Sequence, residues 1–155
     1  MNTSGVASRR HVLAAALLLP LVGAWAAPAR TLVEVWKDPN CGCCKDWIVI
    51  LEQAGFELRV HETGNTGARA QFGIPLKLGS CHTARVAGYT LEGHVPVREI
   101  KRLLKEKPRA VGLAVPGMPI GSPGMDGPTY AGRKDAYDVI LVKADGSSAV
   151  YKSYR

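Results

Sequence analysis

Apolar and polar positions change period several times along the chain, and each change marks an element. Leu32-Val33-Glu34-Val35-Trp36 alternates and is β-branched, which predicts a strand, and Asp38-Pro39-Asn40 breaks it. Trp47, Ile48, Ile50, Leu51 and Ala54 then recur at spacings of three and four, predicting a helix over 44–54 that stops at Gly55. Residues 56–61 alternate again as a second strand, 66–72 form a short helix ended by Gly73, and Ile74-Pro75 opens a turn-rich passage. Cys81 to Val86 and Tyr89 to Glu92, joined through Ala87-Gly88, predict a hairpin. Behind Pro96, Val97 to Lys107 turns Ile100, Leu103 and Leu104 to one side, as a helix does. Residues 108–136 are rich in proline and glycine, a composition no helix survives. Tyr137 to Lys143 and Ser148 to Tyr154 flank Asp145-Gly146, a strong hairpin signal, and both strands are expected to join or flank the main sheet.

The resulting order, β-α-β-α-β-β-α, places the chain in the α/β class and is that of a thioredoxin-like fold. It predicts a mixed sheet with flanking helices, extended by a C-terminal Pro/Gly-rich loop and β-hairpin over 108–155. Residues 27–155 suit one domain with a single core, with no internal repeat and no long linker.

Residues 1–26 read differently. They hold no acid, place Arg9 and Arg10 before the apolar stretch Val12 to Ala26, and end in the small-x-small pattern Ala24-Trp25-Ala26. This predicts an export signal cleaved after Ala26. Pro20 and Gly23 interrupt the apolar stretch, which is shorter than the roughly 20 residues of a spanning helix, so no stable membrane anchor is expected after cleavage. Ser8-Arg9-Arg10-His11-Val12-Leu13 is similar to the twin-arginine signal, with Val12 where that signal usually carries Phe; ordinary Sec export fits equally well. Either route implies a periplasmic protein.

Cleavage would lower the formal charge from +7 to +5, with 18 Lys and Arg against 13 Asp and Glu. Charge that modest does not mark a nucleic-acid partner. Arg98, Lys101, Arg102, Lys105, Lys107 and Arg109 fall at helix-like spacing and read as a solvated face. No Gly-rich phosphate loop, Ser-His-Asp order or HExxH motif points to nucleotide use or hydrolysis.

The chemistry lies in the sulfur. Three of the four cysteines stand in Cys41-Gly42-Cys43-Cys44, between the first strand and the first helix. In a thioredoxin-like fold that strand delivers a Cys-x-x-Cys pair to a helix N-terminus, where the dipole and free amides stabilise thiolate. Cys41 and Cys44 occupy those two places, and Cys43 is an addition. A third thiolate exceeds what one disulfide uses, and vicinal Cys43 and Cys44 could form only a strained bridge, so the surplus favours a soft metal. Such folds set the loop entering the third core strand opposite this turn, usually with a cis proline. Ser80-Cys81-His82-Thr83 fills that loop here without the proline, and Pro75 lies too far upstream to replace it. Cys81 and His82 are therefore expected to face Cys41 and Cys44.

Four motifs in order carry a family resemblance. Cys41-Gly42-Cys43-Cys44-Lys45, Gly79-Ser80-Cys81-His82-Thr83, Glu92-Gly93-His94-Val95-Pro96 and Gly117-Met118-Pro119-Ile120-Gly121-Ser122-Pro123-Gly124-Met125 closely resemble the CopG-type family. This is a family of exported, thioredoxin-like metal-binding proteins associated with bacterial copper resistance, also labelled a domain of unknown function. The resemblance runs from about Leu32 to the end of the chain. It implies copper binding in the periplasm and a protein that sequesters, relays or redox-converts copper, in company with other copper-handling proteins.

The donor types agree with that implication. Four sulfurs and an imidazole suit Cu(I), and bridging thiolates can hold more than one ion. Zinc competes, because Cys₃His is a common structural zinc set, but its paired Cys-x₂-Cys spacing is only half met. The expected metal ligands are Cys41, Cys43, Cys44, Cys81 and His82, with His94 either a ligand or a hydrogen-bonded turn histidine. Two other functions stay open: a thiol-disulfide oxidoreductase with Cys41 attacking and Cys44 resolving, and a structural module held by zinc or by two disulfides. Met118 and Met125 are soft thioethers that either pack or hand on Cu(I). His61 is expected to be exposed, Trp36 and Trp47 to lie in the core, and Lys45 to be a surface lysine that raises thiolate character nearby.

Overall fold

A computed structural model describes residues 1–2 and 29–155, so the expected export signal lies outside the described residues. The elements run β1 (Leu32–Lys37), α1 (Gly42–Gln53), β2 (Glu57–His61), α2 (Thr66–Gln71), β3 (His82–Val86), β4 (Tyr89–Glu92), α3 (Val97–Glu106), β5 (Ala110–Ala114), β6 (Tyr137–Lys143) and β7 (Ser148–Tyr154). Among the described residues, seven strands form one mixed sheet in the order β2-β1-β3-β4-β5-β6-β7. β1 runs parallel to β2 and β4 parallel to β5, and the remaining neighbours are antiparallel. The chain is a mixed α/β protein. Among the described residues no helix is long and apolar enough to cross a membrane.

Strand alternation decides which face is core. Val33 and Val35 of β1, Ala84 and Val86 of β3, Leu91 of β4 and Leu113 of β5 turn to the side where α1 contributes Trp47, Ile48 and Leu51 and α3 contributes Ile100 and Leu103. Burial of these apolar side chains, each removing its surface from water, is the main term holding both helices on the sheet. A smaller cluster of Ile74, Leu78, Ala114 and Val142 forms separately.

Four expectations need correction. Residues 110–114 are a strand, not part of a structureless loop. Lying between β4 and β6, β5 is apolar on both faces, so it shows no alternation, and Pro108 and Pro116 bound it closely. Trp36, expected in the core, is half-buried on the opposite face from Val33 and Val35, stacked on His61 with ring centroids 4.7 Å apart. That stack in turn leaves His61 half-buried where exposure was expected. Helix α1 also begins two residues earlier than its apolar period suggests, which draws Cys43 and Cys44 into its first turn.

Candidate metal centre

The site forms where the end of β1 and the start of β3 lie side by side. Lys37 pairs with His82 in the antiparallel register, so the turn leaving β1 necessarily rises beside the loop entering β3. Lys37 is buried. Its ammonium donates to the Asp38 carbonyl at 2.8 Å and to Glu62 Oε1 at 3.0 Å, tying down the turn that carries Cys41. Cys41 then caps α1, its amide donating to the Asp38 carbonyl at 3.1 Å.

Four sulfurs converge there. The Sγ atoms of Cys41, Cys43, Cys44 and Cys81 lie within 4.8 Å of one another, as do the ligand atoms of Cys81, His82 and His94. Cys81 belongs to both groups. Cys41 and Cys44 are joined as a disulfide, while Cys43 and Cys81 are free thiols, so the two-disulfide arrangement is not the one present. The sulfurs of Cys41 and Cys43 are 3.7 Å apart.

The imidazoles are held from behind. His82 shares its side of β3 with Ala84 and Val86, is fully buried, and packs on the Trp47 ring at a centroid distance of 4.4 Å. Trp47 is fixed by its indole N–H donating to the Val95 carbonyl at 3.0 Å. His82 Nδ1 lies 3.4 Å from Cys81 Sγ, and its Nε2 is buried with no hydrogen-bond partner among the described residues. His94, also buried, sets Nδ1 2.8 Å from the Pro123 carbonyl. A carbonyl only accepts, so Nδ1 carries the proton and Nε2 turns a lone pair toward Cys81 Sγ, 3.1 Å away.

Burial sets the protonation states. It pushes the Cys81 thiol up to about 12, helped by the nearby Cys43 sulfur, so Cys81 is a neutral thiol at pH 7. Burial likewise holds His82 well below its ordinary value, with His94 adding to the effect, and lowers His94. Both rings are neutral, the form in which imidazole binds a metal.

The Pro/Gly motif closes the site from above. Gly124 lies so near the start of α1 that a Cβ there would stand 2.8 Å from the Cys43 carbonyl oxygen and 2.9 Å from the Trp47 nitrogen, at φ +84°. Only glycine permits this approach, and it brings Pro123 over His94. Met125 of the same loop is buried, its sulfur accepting from the Tyr130 hydroxyl at 3.2 Å. Met118 is exposed and shares with Cys81, Ser80 and Leu76 the lining of an open cleft of about 360 Å³.

All six expected site residues are thus brought together: Cys41, Cys43, Cys44, Cys81, His82 and His94. His61 is not among them; it sits at the far end of the Trp36 stack. Sequence reasoning missed Lys37 and the Pro123 carbonyl. Lys37 had a weak signal, a charge at an inward position of an alternating strand, and Pro123 had none, since a backbone oxygen leaves no trace in composition.

Comparison with known proteins agrees with the motif content. A family model described as a protein of unknown function, DUF411, matches residues 78–125, a span that holds Cys81, His82 and His94. No curated protein matches the chain at a significant level. Two solved structures do: copper resistance protein copG in form 2, at 41% identity and a TM-score of 0.75, and in form 1, at 42% and 0.74. The first match covers 82% of this chain and 100% of that one, the second 81% and 98%. With a likeness at such identity that spans about four fifths of this chain and nearly all of the other, the chain belongs to the CopG-type copper-resistance family.

Proposed function

We propose that the chain is a periplasmic copper-binding protein that sequesters or relays Cu(I) on Cys41, Cys43, Cys44, Cys81, His82 and His94, and so contributes to copper resistance. The observation that carries this reading is the convergence of four sulfurs within 4.8 Å of one another, with two neutral, buried imidazoles joined to them through Cys81. Sulfur-rich donors with adjoining imidazole select Cu(I) over hard cations, and crowded thiolates bridge ions readily, which favours more than one copper per chain. The buried Nε2 of His82, without a partner among the described residues, fits the same purpose, since an unpaired buried nitrogen is costly unless a ligand or metal satisfies it. The relatives' name, copper resistance protein, points the same way.

The parallel β1–β2 pair, the antiparallel β1–β3–β4 run and a Cys-x-x-Cys at the start of α1 support a thioredoxin-like core whose sheet the C-terminal hairpin extends beyond β5. The basic, acid-free leader with its small-x-small end supports export. An anaerobic titration of the reduced protein with Cu(I) tests the function. Saturation above one equivalent with strong preference over zinc supports a cluster; saturation below one equivalent, or equal preference for zinc, rejects it.

One observation favours a second reading. The Cys41–Cys44 disulfide at the mouth of α1 is the arrangement of a thiol-disulfide oxidoreductase, and its reduction takes up two electrons and two protons. Disulfide-reductase turnover at ordinary thioredoxin-like rates, with copper binding indifferent to Cys43→Ser, would favour that reading over copper binding.

A further inference from the structure

Cys81 is the thiol common to both donor groups, yet it lies outside any helix, one residue before β3 begins. Its place depends on Ser80, and the backbone of Ser80 is gripped on both sides. Glu92, fully buried on β4, sits opposite Thr83 in the register. Its Oε1 accepts from the Ser80 amide at 2.7 Å and from Arg69 Nε at 2.8 Å, and its Oε2 accepts from the Thr83 hydroxyl at 2.6 Å. The same guanidinium turns Nη2 to the Ser80 carbonyl, which also accepts from Asn65 Nδ2 at 3.1 Å. One ion pair therefore holds the N–H and the C=O of a single residue, the latter in the peptide bond that leads into Cys81.

We propose that Arg69 and Glu92 are positioning residues of the metal site, clamping the Ser80 backbone so that the Cys81 sulfur meets the Cys41–Cys44 turn on one side and His94 on the other. The inference rests on the copper-binding reading above. Stability alone does not account for the pair, because replacing a buried ion pair by apolar side chains of similar size is often neutral or stabilising. What an apolar pair lacks is the planar fork that can serve a carboxylate and a carbonyl at once. The metal face supplies the use for such a fork. Glu92 and Thr83 lie on the side of the sheet away from α1, whereas His82, two residues after Ser80, lies on the side of α1, so the chain must cross between faces at Cys81. Gly93, between Glu92 and His94, leaves room for it: a Cβ there would meet the Ser80 side chain at 2.4 Å and the Val115 carbonyl at 2.6 Å.

The test compares the full chain with the double variant Arg69→Met/Glu92→Met and with Arg69→Lys. Three quantities are measured: the thermal midpoint, Cu(I) affinity by competition with bicinchoninate, and the ratio of iodoacetamide alkylation rates at Cys81 and Cys43 in metal-free protein. The double variant should keep a wild-type or higher midpoint while losing about tenfold or more in Cu(I) affinity, the usual scale for an outer partner of a ligand. Its Cys81-to-Cys43 alkylation ratio should rise. Arg69→Lys keeps the charge facing Glu92 but has no second arm for the Ser80 carbonyl, so it should move affinity and ratio in the same direction by less. A folded double variant with wild-type affinity and ratio overturns the clamp. Should the double variant not fold, wild-type values in Arg69→Lys overturn it equally. If the wild type binds no Cu(I), the copper reading fails by itself, and the alkylation ratio still decides whether Arg69 and Glu92 hold Cys81.

Discussion

Cys81 Sγ lies 3.1 Å from His94 Nε2, and through that contact the sulfur group and the imidazole group become one site. The geometry assigns the proton as well. His94 Nδ1 is committed to the Pro123 carbonyl, so the thiol hydrogen of Cys81 points at Nε2 in the metal-free protein. A metal held by both atoms would take the place of that hydrogen, and its binding would release the thiol proton.

Cys81 should therefore be the most sensitive single position. Cys81→Ser is expected to cost more Cu(I) affinity than the 10–100-fold usually lost with an outer partner, and His82→Ala less than Cys81→Ser, because thiolate is the softer donor. His61→Ala, at a residue outside both donor groups, should leave affinity unchanged. The measurement is competition with a Cu(I) chelator. Wild-type copper content in both Cys81→Ser and His82→Ala would remove the β3 loop from the site.

The Cys81 proton also predicts a pH dependence. Burial pushes this thiol up to about 12, so at neutral pH it must lose its proton to bind copper. Binding releases the proton, and raising the pH therefore strengthens binding. Affinity should climb by about tenfold per pH unit from this group alone between pH 6 and 8, and Cys81→Ser should flatten the slope. Proton release on copper addition can be read directly in weakly buffered solution, and none at all would contradict the assignment of Cys81 as a ligand.

Much of this was legible in the chain because the relevant periods are local. The alternation of Leu32 to Trp36 and the three-and-four spacing of Trp47, Ile48 and Leu51 each report a half-buried element, and β1 and α1 fall where those patterns lie. The strand Ala110–Ala114 was not legible, since a strand covered on both faces has no alternation to show and Gly112 weakens its propensity. Trp36 misled for a related reason: size suggests core, but its even place in β1 puts it opposite Val33 and Val35. In the site, ligand identities could be read from residue type and order. The parts that hold the ligands left at most the weak trace of a charge at an inward strand position, because Lys37, Arg69, Glu92 and the Pro123 carbonyl act across 25, 11, 12 and 29 residues of sequence.

The Cys41–Cys44 disulfide makes copper capacity depend on redox state. A disulfide sulfur has no thiolate to offer, so the oxidised protein has Cys43, Cys81, His82 and His94, whereas reduction exposes four thiols within the same 4.8 Å. Anaerobic titration should give a higher Cu(I) stoichiometry after reduction than before it. Equal stoichiometry in the two states would mean that Cys41 and Cys44 take no part in binding, leaving Cys43 and Cys81 with the imidazoles as the whole site.

The last expectation concerns the loop that covers the site, and it separates backbone strain from positioning. Gly124 and Gly146 share a left-handed backbone, at φ +84° and +81°, so an alanine at either pays a similar conformational cost of about 1 kcal/mol. Their surroundings differ. A Cβ at Gly146 meets nothing within 4 Å, while one at Gly124 presses on the Cys43 carbonyl and the Trp47 nitrogen, both backbone atoms of α1 that cannot swing aside. The loop must then lift, and the Pro123 carbonyl moves off His94 Nδ1, freeing the ring to turn Nε2 away from Cys81. Gly146→Ala should therefore lower stability modestly and leave Cu(I) affinity at the wild-type value. Gly124→Ala should lower stability by about 1–3 kcal/mol more and reduce Cu(I) affinity by about tenfold, the scale on which metal sites respond when a ligand's own partner is lost. Denaturant unfolding and chelator competition on the two variants provide the comparison, and a Gly124→Ala protein that is destabilised yet binds Cu(I) as tightly as Gly146→Ala would show that the loop covers the site without orienting His94.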